Sequence, residues 1–224
     1  MPKYPEPTPI FHITAIDNLA AIAGTAALLA KRVAVARGLV SANIAYQQIQ
    51  GRRAVKAIPI APGGTLHDYV PFYFAPRSPM LLTINSGNVP NCNYRQDDIV
   101  YLVSQAQTIR DGGHRFVFSD IHAAMNYARF FDDLARLDEI QWDIFFEEPR
   151  LEGYCKYWHN QHKPLHHMSR KESRQAEFLI HQQLAIAAIS EIGVRTQQGE
   201  ARVRTALAGT GWNPVVRVVP GWYF

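Results

Sequence analysis

Short apolar runs, separated by polar turns and prolines, predict a mixture of strands and helices along the chain. Runs rich in β-branched and aromatic residues indicate strands, and stretches rich in Ala and Leu indicate helices. The predicted strands are Ile10–Thr14, Tyr69–Ala75, Ile99–Ser104, Arg115–Ser119, Phe178–Ile180 and Val215–Val219. The predicted helices are Asn18–Ala30 (capped by Asp17), Ala42–Arg53, Ser104–Arg110 and Ile121–Leu134. Because the two kinds of element do not alternate strictly, the pattern indicates an α+β fold.

The composition is that of a globular chain with one substantial core. It has 224 residues, of which 47% are hydrophobic and 19% charged, which suits a single domain over residues 1–224. The longest apolar stretch, residues 22–30, is too short to span a bilayer. The two cysteines form neither a disulfide framework nor a metal-ligand spacing. We therefore expect a cytoplasmic protein without a membrane partner, and the absence of Rossmann, P-loop, G-x-S-x-G and H-E-x-x-H motifs disfavours those enzyme classes.

The net charge of +4 falls entirely between Arg150 and Arg174, which we call the basic segment. This segment also holds four of the nine histidines and the aromatic residues Tyr154, Tyr157 and Trp158. Cations with interleaved aromatic rings are what phosphate neutralisation and base stacking require. A solvated surface loop would explain the charges but not the aromatic residues. The basic segment therefore favours a polyanionic target.

Glu177 is the candidate catalytic residue, directly before the predicted strand Phe178–Ile180. The two-residue period of a strand places Gln175 and Glu177 on the same face. A carboxylate there can bond a ribose hydroxyl and stabilise the oxocarbenium-like state that forms when the nicotinamide–ribose bond of NAD breaks. An ordinary surface glutamate in a strand is the alternative interpretation.

His12 and Thr14 share one face of the first strand, and Arg52 and Arg53 end the second predicted helix. His12 could bond the ribose next to the adenine of NAD, although a histidine on a core strand is often purely structural. An arginine could hold the pyrophosphate or the reacting base, whereas the helix dipole alone accounts for at least one of the two cations. Together His12, Arg52 and Glu177 suit chemistry on NAD.

The four histidines of the basic segment raise the question of a metal site. They are His159, His162, His166 and His167. No cysteine or carboxylate lies at ligand spacing beside them, so a zinc site is not expected. A loop that faces nucleic acid fits these residues better, and we predict no metal.

Six blocks of the sequence resemble the DarT family of DNA ADP-ribosyltransferase toxins, and the match runs nearly from end to end. The blocks are Tyr4–Thr14, Ile16–Leu19, Asn43–Arg53, Pro62–Met80, Gln175–Leu179 and Trp222–Phe224. Pro62–Met80, which reads PGGTLHDYVPFYFAPRSPM, is the most specific of them, and Arg150–His167 is among the weakest matches. The resemblance implies an ADP-ribosyltransferase fold, with two small, roughly orthogonal sheets around an NAD cleft.

The resemblance also assigns roles to individual residues. The first-strand histidine of the family binds the NAD ribose and matches His12, with Thr14 nearby. The arginine that acts on NAD and on the reacting base matches Arg52 better than Arg53, and the catalytic glutamate matches Glu177. The residues expected to line the NAD cleft are Tyr73, Ser78 and Met80. The residues expected on the DNA side are His122, Lys156, Tyr157, Trp158, Arg170 and Arg174.

The family further implies transfer of ADP-ribose from NAD to a base, usually thymine, in single-stranded DNA. Such an enzyme would poison its own cell, so a macrodomain antitoxin of the DarG type is the expected partner. Two alternatives stay open. The acceptor could be guanine in DNA, RNA or a protein, since Gln175-x-Glu177 resembles the Q-x-E pattern of protein-modifying transferases. The chain could also be a non-catalytic nucleic-acid-binding module.

Overall fold

An eight-stranded sheet forms the centre of the computed structural model, which describes residues 4–39, 42, 44 and 47–224. In spatial order its strands are β12 (Val215–Val218), β11 (Glu191–Val194), β4 (Ile99–Gln105), β1 (Pro9–Ala15), β3 (Tyr69–Tyr73), β9 (Ala176–His181), β5 (Phe116–His122) and β6 (Phe130–Phe131). Neighbouring strands are antiparallel except β11 and β12, which are parallel. Two short antiparallel pairs lie outside this sheet. They are β2 (Ala27–Leu29) with β10 (Gln183–Ala185), and β7 (Arg150–Leu151) with β8 (Tyr154–Cys155).

The large sheet consists of two four-stranded halves that meet at β1 and β3. A single residue pair, Phe11 with Tyr73, joins the two strands, whereas β1 and β4 pair over seven residues. The halves thus correspond to the two small sheets expected for the fold, linked here into one. Together with the helices they confirm the predicted α+β class.

The helices are short and connect or cover the strands. They are α1 (Leu19–Thr25), α2 (Lys31–Ala36), α3 (Gln47–Val55), α4 (Pro79–Asn85), α5 (Ala106–Asp111), α6 (Asp143–Phe146), α7 (Arg170–Ser173) and α8 (Gln197–Leu207). Single 3₁₀ turns occupy Ile16–Asn18, Leu66–Asp68, Gln96–Asp98, Leu134–Glu139, Leu165–His167, Ile186–Ala188 and Pro220–Trp222. Within these described residues, no helix combines the length and the apolar character that crossing a bilayer requires.

Buried side chains pack on both faces of the sheet. Successive side chains of a strand point to opposite sides, so each central strand contributes to both packed faces. In β4, Val100 and Leu102 belong to one buried cluster, and Ile99, Tyr101 and Val103 belong to another. The first cluster includes the rings of Phe72, Phe74, Phe118 and Phe178, and the second includes Trp222 and Tyr223. Two apolar faces hold the central strands rigidly and fix the positions of their polar residues.

Two predicted helices differ from the structure. The helix predicted over Asn18–Ala30 ends at Thr25, because Ala26 adopts a left-handed conformation and β2 follows. Asp17 does not cap that helix, since its carboxylate accepts a hydrogen bond from the Tyr94 hydroxyl at 2.9 Å. Of the helix predicted over Ala42–Arg53, the structure shows Gln47–Val55, and residues 43, 45 and 46 lie outside the described part.

The helix predicted over Ile121–Leu134 is wrong. Here β5 continues to His122 and the chain turns back into β6. The Phe118 and Phe131 rings stack at 5.3 Å across this pair, and Arg129 forms an ion pair with Asp120 at 2.7 Å. Pairing with an existing strand therefore overrides the helical preference of Ala123, Ala124 and Met125.

Candidate active site

A cleft of about 880 Å³ opens where the two halves of the sheet meet. Predicted site residues that line it are His12, Thr14, Arg52, Tyr73, Met80, His122 and Glu177. Its volume is within the usual range of ligand-binding clefts. Residues distant in sequence are thus brought together, and the cleft is the candidate active site.

Glu177 lies at the start of β9, where β9 pairs with β3 on one side and β5 on the other. Its side chain is only 1% exposed, yet it borders the cleft. The backbone N–H of Ala123 donates to its carboxylate at 3.2 Å, and the Glu177 N–H donates to the Ser119 hydroxyl, also at 3.2 Å. Ser119 lies in an irregularity of β5 between Phe118 and His122, and Ala123 directly follows the end of that strand. This irregularity wraps the β5 backbone around the carboxylate and fixes its direction.

Arg53, not Arg52, is the arginine that contacts Glu177. Its Nη1 donates to both carboxylate oxygens, at 2.9 and 2.8 Å, and the residue is 8% exposed. Within the described part of the chain, the buried Nη2 of Arg53 has no hydrogen-bond partner. Arg52 is exposed and borders the cleft. The sequence could not show which of the two adjacent arginines faces inward. Neighbouring residues of a helix point about 100° apart, so the rotation of the helix about its axis decides which one reaches Glu177.

His12 presents one nitrogen to the protein and leaves the other for a ligand. Its Nδ1 donates to the Pro71 carbonyl at 2.7 Å, so Nε2 carries the lone pair of the neutral ring. Burial lowers the pKa of His12 to about 4, and the bond to Pro71 offsets only part of that shift. At neutral pH the ring is therefore an acceptor suited to a hydroxyl group such as that of a ribose.

Asn18, which the sequence did not single out, ties the rim of the cleft to β1. Its amide donates to the Thr14 hydroxyl at 3.0 Å and to the Ala42 carbonyl at 3.2 Å, and its oxygen accepts from the Ala42 N–H at 2.7 Å. Thr14 itself is buried and borders the cleft. Thr14 lies near the end of β1, and Asn18 follows it by four residues. That spacing is the only feature of the sequence that would have indicated the pair.

Tyr73, Met80 and Ser78 contribute in different ways. Burial, together with the negative charge of Glu177, raises the pKa of Tyr73, so its hydroxyl stays a donor. That hydroxyl lies 3.9 Å from the Met80 sulfur, and both residues border the cleft. Ser78 was expected in the cleft, but it is buried and caps α4, with its hydroxyl accepting from the Leu81 N–H at 3.2 Å. Ser78 therefore positions the helix that carries Met80.

His122 lies beside the catalytic candidate, with Nε2 3.8 Å from a Glu177 oxygen. Its pKa is lowered, first by burial and then by the positive charges of Arg53 and Arg52, against the opposing effect of Glu177. The ring is thus neutral at physiological pH and can donate or accept a hydrogen bond inside the cleft.

Only some of the residues predicted on the DNA side are on the surface. Lys156 and Tyr157 are exposed, with the Lys156 ammonium 5.7 Å from the centre of the Tyr157 ring. Trp158 is buried and stacks on His159 at 4.4 Å, so its expected place beside DNA does not fit the structure. The cleft is instead bordered by Lys171, Glu172 and Gln175, which were not predicted to line it.

Arg170 and Arg174 are also buried, which corrects their predicted position beside DNA. Arg170 donates to the Glu147 carboxylate and lies 3.1 Å from the Cys155 sulfur. Arg174 lies over the Phe145 ring at 5.0 Å, and burial lowers its pKa to about 10. The short turns of the basic segment direct the long aliphatic parts of Arg170 and Arg174 inward. These two side chains therefore anchor the segment against α6.

The geometry suits the cleavage of a bond at a sugar carbon. A buried carboxylate that is oriented by backbone and guanidinium donors can stabilise positive charge without reorganising. The neutral His12 can hold a hydroxyl, and the unpaired Arg53 Nη2 can hold an oxygen anion. A nucleotide with a ribose and phosphates matches this set of groups.

Comparison with known proteins supplies a family for this arrangement. The family described as "ssDNA thymidine ADP-ribosyltransferase, DarT" matches residues 11–224. A DNA ADP-ribosyl transferase of Thermus sp. (strain 2.9) is 39% identical over 99% of this chain and 98% of the relative.

Two solved structures of Thermus sp. 2.9 DarT have the same fold. The complex with ADP-ribosylated ssDNA has a TM-score of 0.87, with 38% identity over 99% of this chain and 98% of that one. The complex with NAD+ has a TM-score of 0.82, with 36% identity over 99% of this chain and all of that one. The similarity thus extends over both halves of the sheet and the cleft between them.

Proposed function

Because the chain belongs to the DarT family of single-stranded DNA thymidine ADP-ribosyltransferases, we propose that it transfers ADP-ribose from NAD+ to thymine in single-stranded DNA. The observation that carries this proposal is the buried Glu177 carboxylate at the end of the cleft, held by Arg53 and the Ala123 N–H. The relatives with NAD+ and with ADP-ribosylated ssDNA support both substrates. We expect residues 1–224 to act as one transferase domain.

The reaction breaks the bond between the nicotinamide nitrogen and the ribose C1′ carbon. Nicotinamide leaves with the electron pair, and Glu177 stabilises the resulting oxocarbenium ion while it bonds a ribose hydroxyl. His12 accepts a hydrogen bond from the second ribose through Nε2. Arg53 borders the cleft beside Glu177, and its Nη2, which has no partner among the described residues, can turn toward the pyrophosphate.

Thymine then attacks C1′ through a ring nitrogen. The new N–C1′ bond replaces the bond to nicotinamide, and the ring-nitrogen proton passes to the Glu177 carboxylate. Unstacking a base from a single strand costs less than extruding it from a duplex, which favours a single-stranded substrate. His122, which lies 3.8 Å from Glu177, is placed to bond the incoming base.

The strand itself would pass along the exposed part of the basic segment. Lys156 and Tyr157 are exposed there, and Lys171 borders the cleft. A cation neutralises phosphate, and an exposed ring can stack on a base. These three residues replace the buried Trp158, Arg170 and Arg174 as our candidates for DNA contact.

A macrodomain antitoxin of the DarG type is the partner that we propose for control of this activity. Its action would be to remove ADP-ribose from the modified DNA. The supporting reasons are the family of the chain and the toxicity of an unopposed DNA-modifying enzyme. Both substrates, NAD+ and cellular DNA, favour a cytoplasmic site of action.

The test is to incubate the protein with NAD+ and mixed-sequence single-stranded oligonucleotides and to measure their mass. We expect a gain of one ADP-ribose, located on thymine by fragmentation. Glu177→Gln should reduce the rate by at least about 10³-fold, because the neutral amide cannot stabilise the cation, while NAD+ binding persists. Equal transfer by that variant would overturn the role of Glu177. A label that nuclease fails to release but protease releases would identify a protein acceptor instead.

A further inference from the structure

Three potential metal ligands converge outside the cleft, where α6 meets the basic segment. Glu147 follows α6, and His166 and His167 lie in the 3₁₀ turn Leu165–His167. The Glu147 oxygens lie 2.7 Å from His166 Nε2 and 2.8 Å from His167 Nε2, and the ligand atoms all lie within 4.8 Å of one another. In a tetrahedral zinc site, ligand atoms at about 2 Å from the metal are about 3.3 Å apart. The two oxygen–nitrogen separations are about 0.5 Å shorter than this value and the third pair lies within 4.8 Å, so small shifts of the side chains would give the spacing of such a site.

Other groups hold the backbone of both histidines and the ring of His167. Gln141 donates its amide N–H to the His166 carbonyl at 2.9 Å, and the Gln161 N–H donates to the His167 carbonyl at 3.0 Å. The Gln161 side-chain oxygen also lies 3.2 Å from His167 Nδ1. Outer partners of this kind orient the histidine ligands of metal sites and select the tautomer that leaves Nε2 free.

That tautomer has a direct chemical consequence. If Nδ1 of His167 donates to Gln161, Nε2 of the neutral ring presents a lone pair to the Glu147 carboxylate. Two acceptors 2.8 Å apart require a cation between them, which is either a proton or a metal ion. Arg170 donates to the same Glu147 oxygen that lies 2.8 Å from His167 Nε2, and it lies 3.1 Å from the Cys155 sulfur. It can therefore orient the carboxylate in the way that hydrogen-bond donors orient metal-binding carboxylates.

We propose that Glu147, His166 and His167 bind a divalent transition metal of the zinc class. Two imidazole nitrogens and a carboxylate oxygen are the ligand set of many three-ligand zinc sites, with a water or another group in the fourth position. His166 is partly exposed, which leaves a path for the ion to enter. Ligand spacing along the sequence did not predict this site, because Glu147 precedes His166 by 19 residues.

The proposed site lies next to the catalytic cleft without being part of it. His167 is followed by α7, and Lys171 and Glu172 of that helix border the cleft. Metal binding would fasten the basic segment to α6 at this point. We therefore expect the ion to stabilise the fold and to order the surface proposed for DNA, independently of the transfer reaction.

The test uses untagged full-length protein, stripped with a chelator and titrated with Co²⁺ and then Zn²⁺. We expect one equivalent of Co²⁺ with a visible d–d absorption band, which Zn²⁺ displaces. A 100-fold excess of Zn²⁺ over its dissociation constant should raise the melting temperature by roughly 5–10 °C. His166→Ala, a change at a partly exposed residue, should abolish the band, and Glu147→Gln should do the same if it folds.

The control variants are His159→Ala and His162→Ala, which remove exposed histidines of the same segment that are outside the cluster. Both should bind Co²⁺ with the same stoichiometry and absorption as the original protein. The proposal is overturned if the original protein shows no absorption band, which would leave the cluster as a set of side-chain hydrogen bonds without a metal. It is also overturned if His166→Ala retains the band or if His159→Ala or His162→Ala loses it.

Discussion

The Glu177 end of β9 and the basic segment both bury arginine side chains, but the two regions place them differently. Arg53 pairs with Glu177 inside the cleft, and its Nη2 is left without a partner among the described residues. Arg170 and Arg174, each of which also has one unpartnered buried nitrogen among the described residues, pack instead against Glu147, Cys155 and Phe145, away from the cleft lining. Buried charge in the first region borders the cleft, and in the second it supports a fold. A run of charges in a sequence therefore does not reveal which charges meet a substrate.

The cost of burying charge explains the distinction. An ion taken from water loses several kcal/mol of solvation, which a partner must offset. Arg174 has an aromatic ring and the Pro76 carbonyl, and it remains charged at neutral pH even though burial lowers its pKa to about 10. Arg53 and Arg170 each have a full carboxylate as partner, Glu177 and Glu147 respectively. Only the Arg53–Glu177 pair borders the cleft, so only this pair can change its partners when an anionic nucleotide enters.

The largest effect that would test this comparison is expected at Arg53. Arg53→Lys should lower the single-turnover rate of transfer by about 10²–10³-fold, because an ammonium group cannot bridge Glu177 and a phosphate as a planar guanidinium can. The matched control is Arg52→Lys at the adjacent, exposed position, where we expect a change of less than about 10-fold. The measurement is the rate of oligonucleotide modification at saturating NAD+.

The two arginine variants also separate our assignment from the one favoured by sequence resemblance. A larger reduction for Arg52→Lys than for Arg53→Lys would restore Arg52 as the functional arginine. It would then follow that the Arg53–Glu177 pair belongs to the scaffold. Urea unfolding of both variants, which does not depend on NAD+ binding, excludes a folding defect as the cause of either reduction.

The next effect concerns the two adjacent aromatic residues of the basic segment. Trp158→Ala should lower the free energy of unfolding by about 3 kcal/mol, because Trp158 is buried. Tyr157→Ala should leave stability within about 0.5 kcal/mol, since Tyr157 is 46% exposed. It should, however, weaken DNA binding by about 5–100-fold, because the ring that stacks on a base is removed. Urea unfolding and fluorescence anisotropy with a labelled oligonucleotide measure the two quantities.

An opposite result for Trp158 and Tyr157 would change our interpretation of the basic segment. If Trp158→Ala weakens DNA binding without a decrease in stability, the segment opens in solution and exposes the indole.

The salt dependence of DNA binding sharpens the test. Replacement of Lys156 or Lys171 by alanine should reduce the slope of log affinity against log salt concentration by about 1 for each phosphate that is no longer neutralised. A buried cation such as Arg174 should not alter that slope when it is replaced by methionine.

Sequence patterns predicted the strands of the cleft well, and for a physical reason. The residues around His12 and Glu177 lie in strands that are apolar on both faces, so a polar side chain there stands out. The helix over Ile121–Leu134 failed because β6 is only two residues long and owes its pairing to Phe118. A strand of two residues is too short to show the alternation of polar and apolar residues by which strands are recognised in a sequence.

The candidate site was predictable in its residue types but not in its detailed geometry. Glu177, His12, Tyr73 and Met80 were expected in one cleft, and the structure places them there. The choice between Arg52 and Arg53, and the burial of Arg170, depend on the rotation of short helices. That rotation is set by contacts with α6 and β9, which lie elsewhere in the sequence.

The last prediction concerns His12, which joins the cleft to the pH dependence of stability. Its pKa is about 4 in the fold and about 6.5 in the unfolded chain, so between these values the unfolded state binds more protons. Stability should therefore be complete above pH 6.5 and should fall as pH decreases toward 4. A shift of this size corresponds to about 3–4 kcal/mol. Urea unfolding at pH 7, 6, 5 and 4 should show this decrease in the original protein and a correspondingly smaller decrease in His12→Gln. Parallel pH profiles would mean that the pKa of His12 is not lowered in the fold, and its assignment as a buried ring held neutral for a ribose hydroxyl would then be untenable.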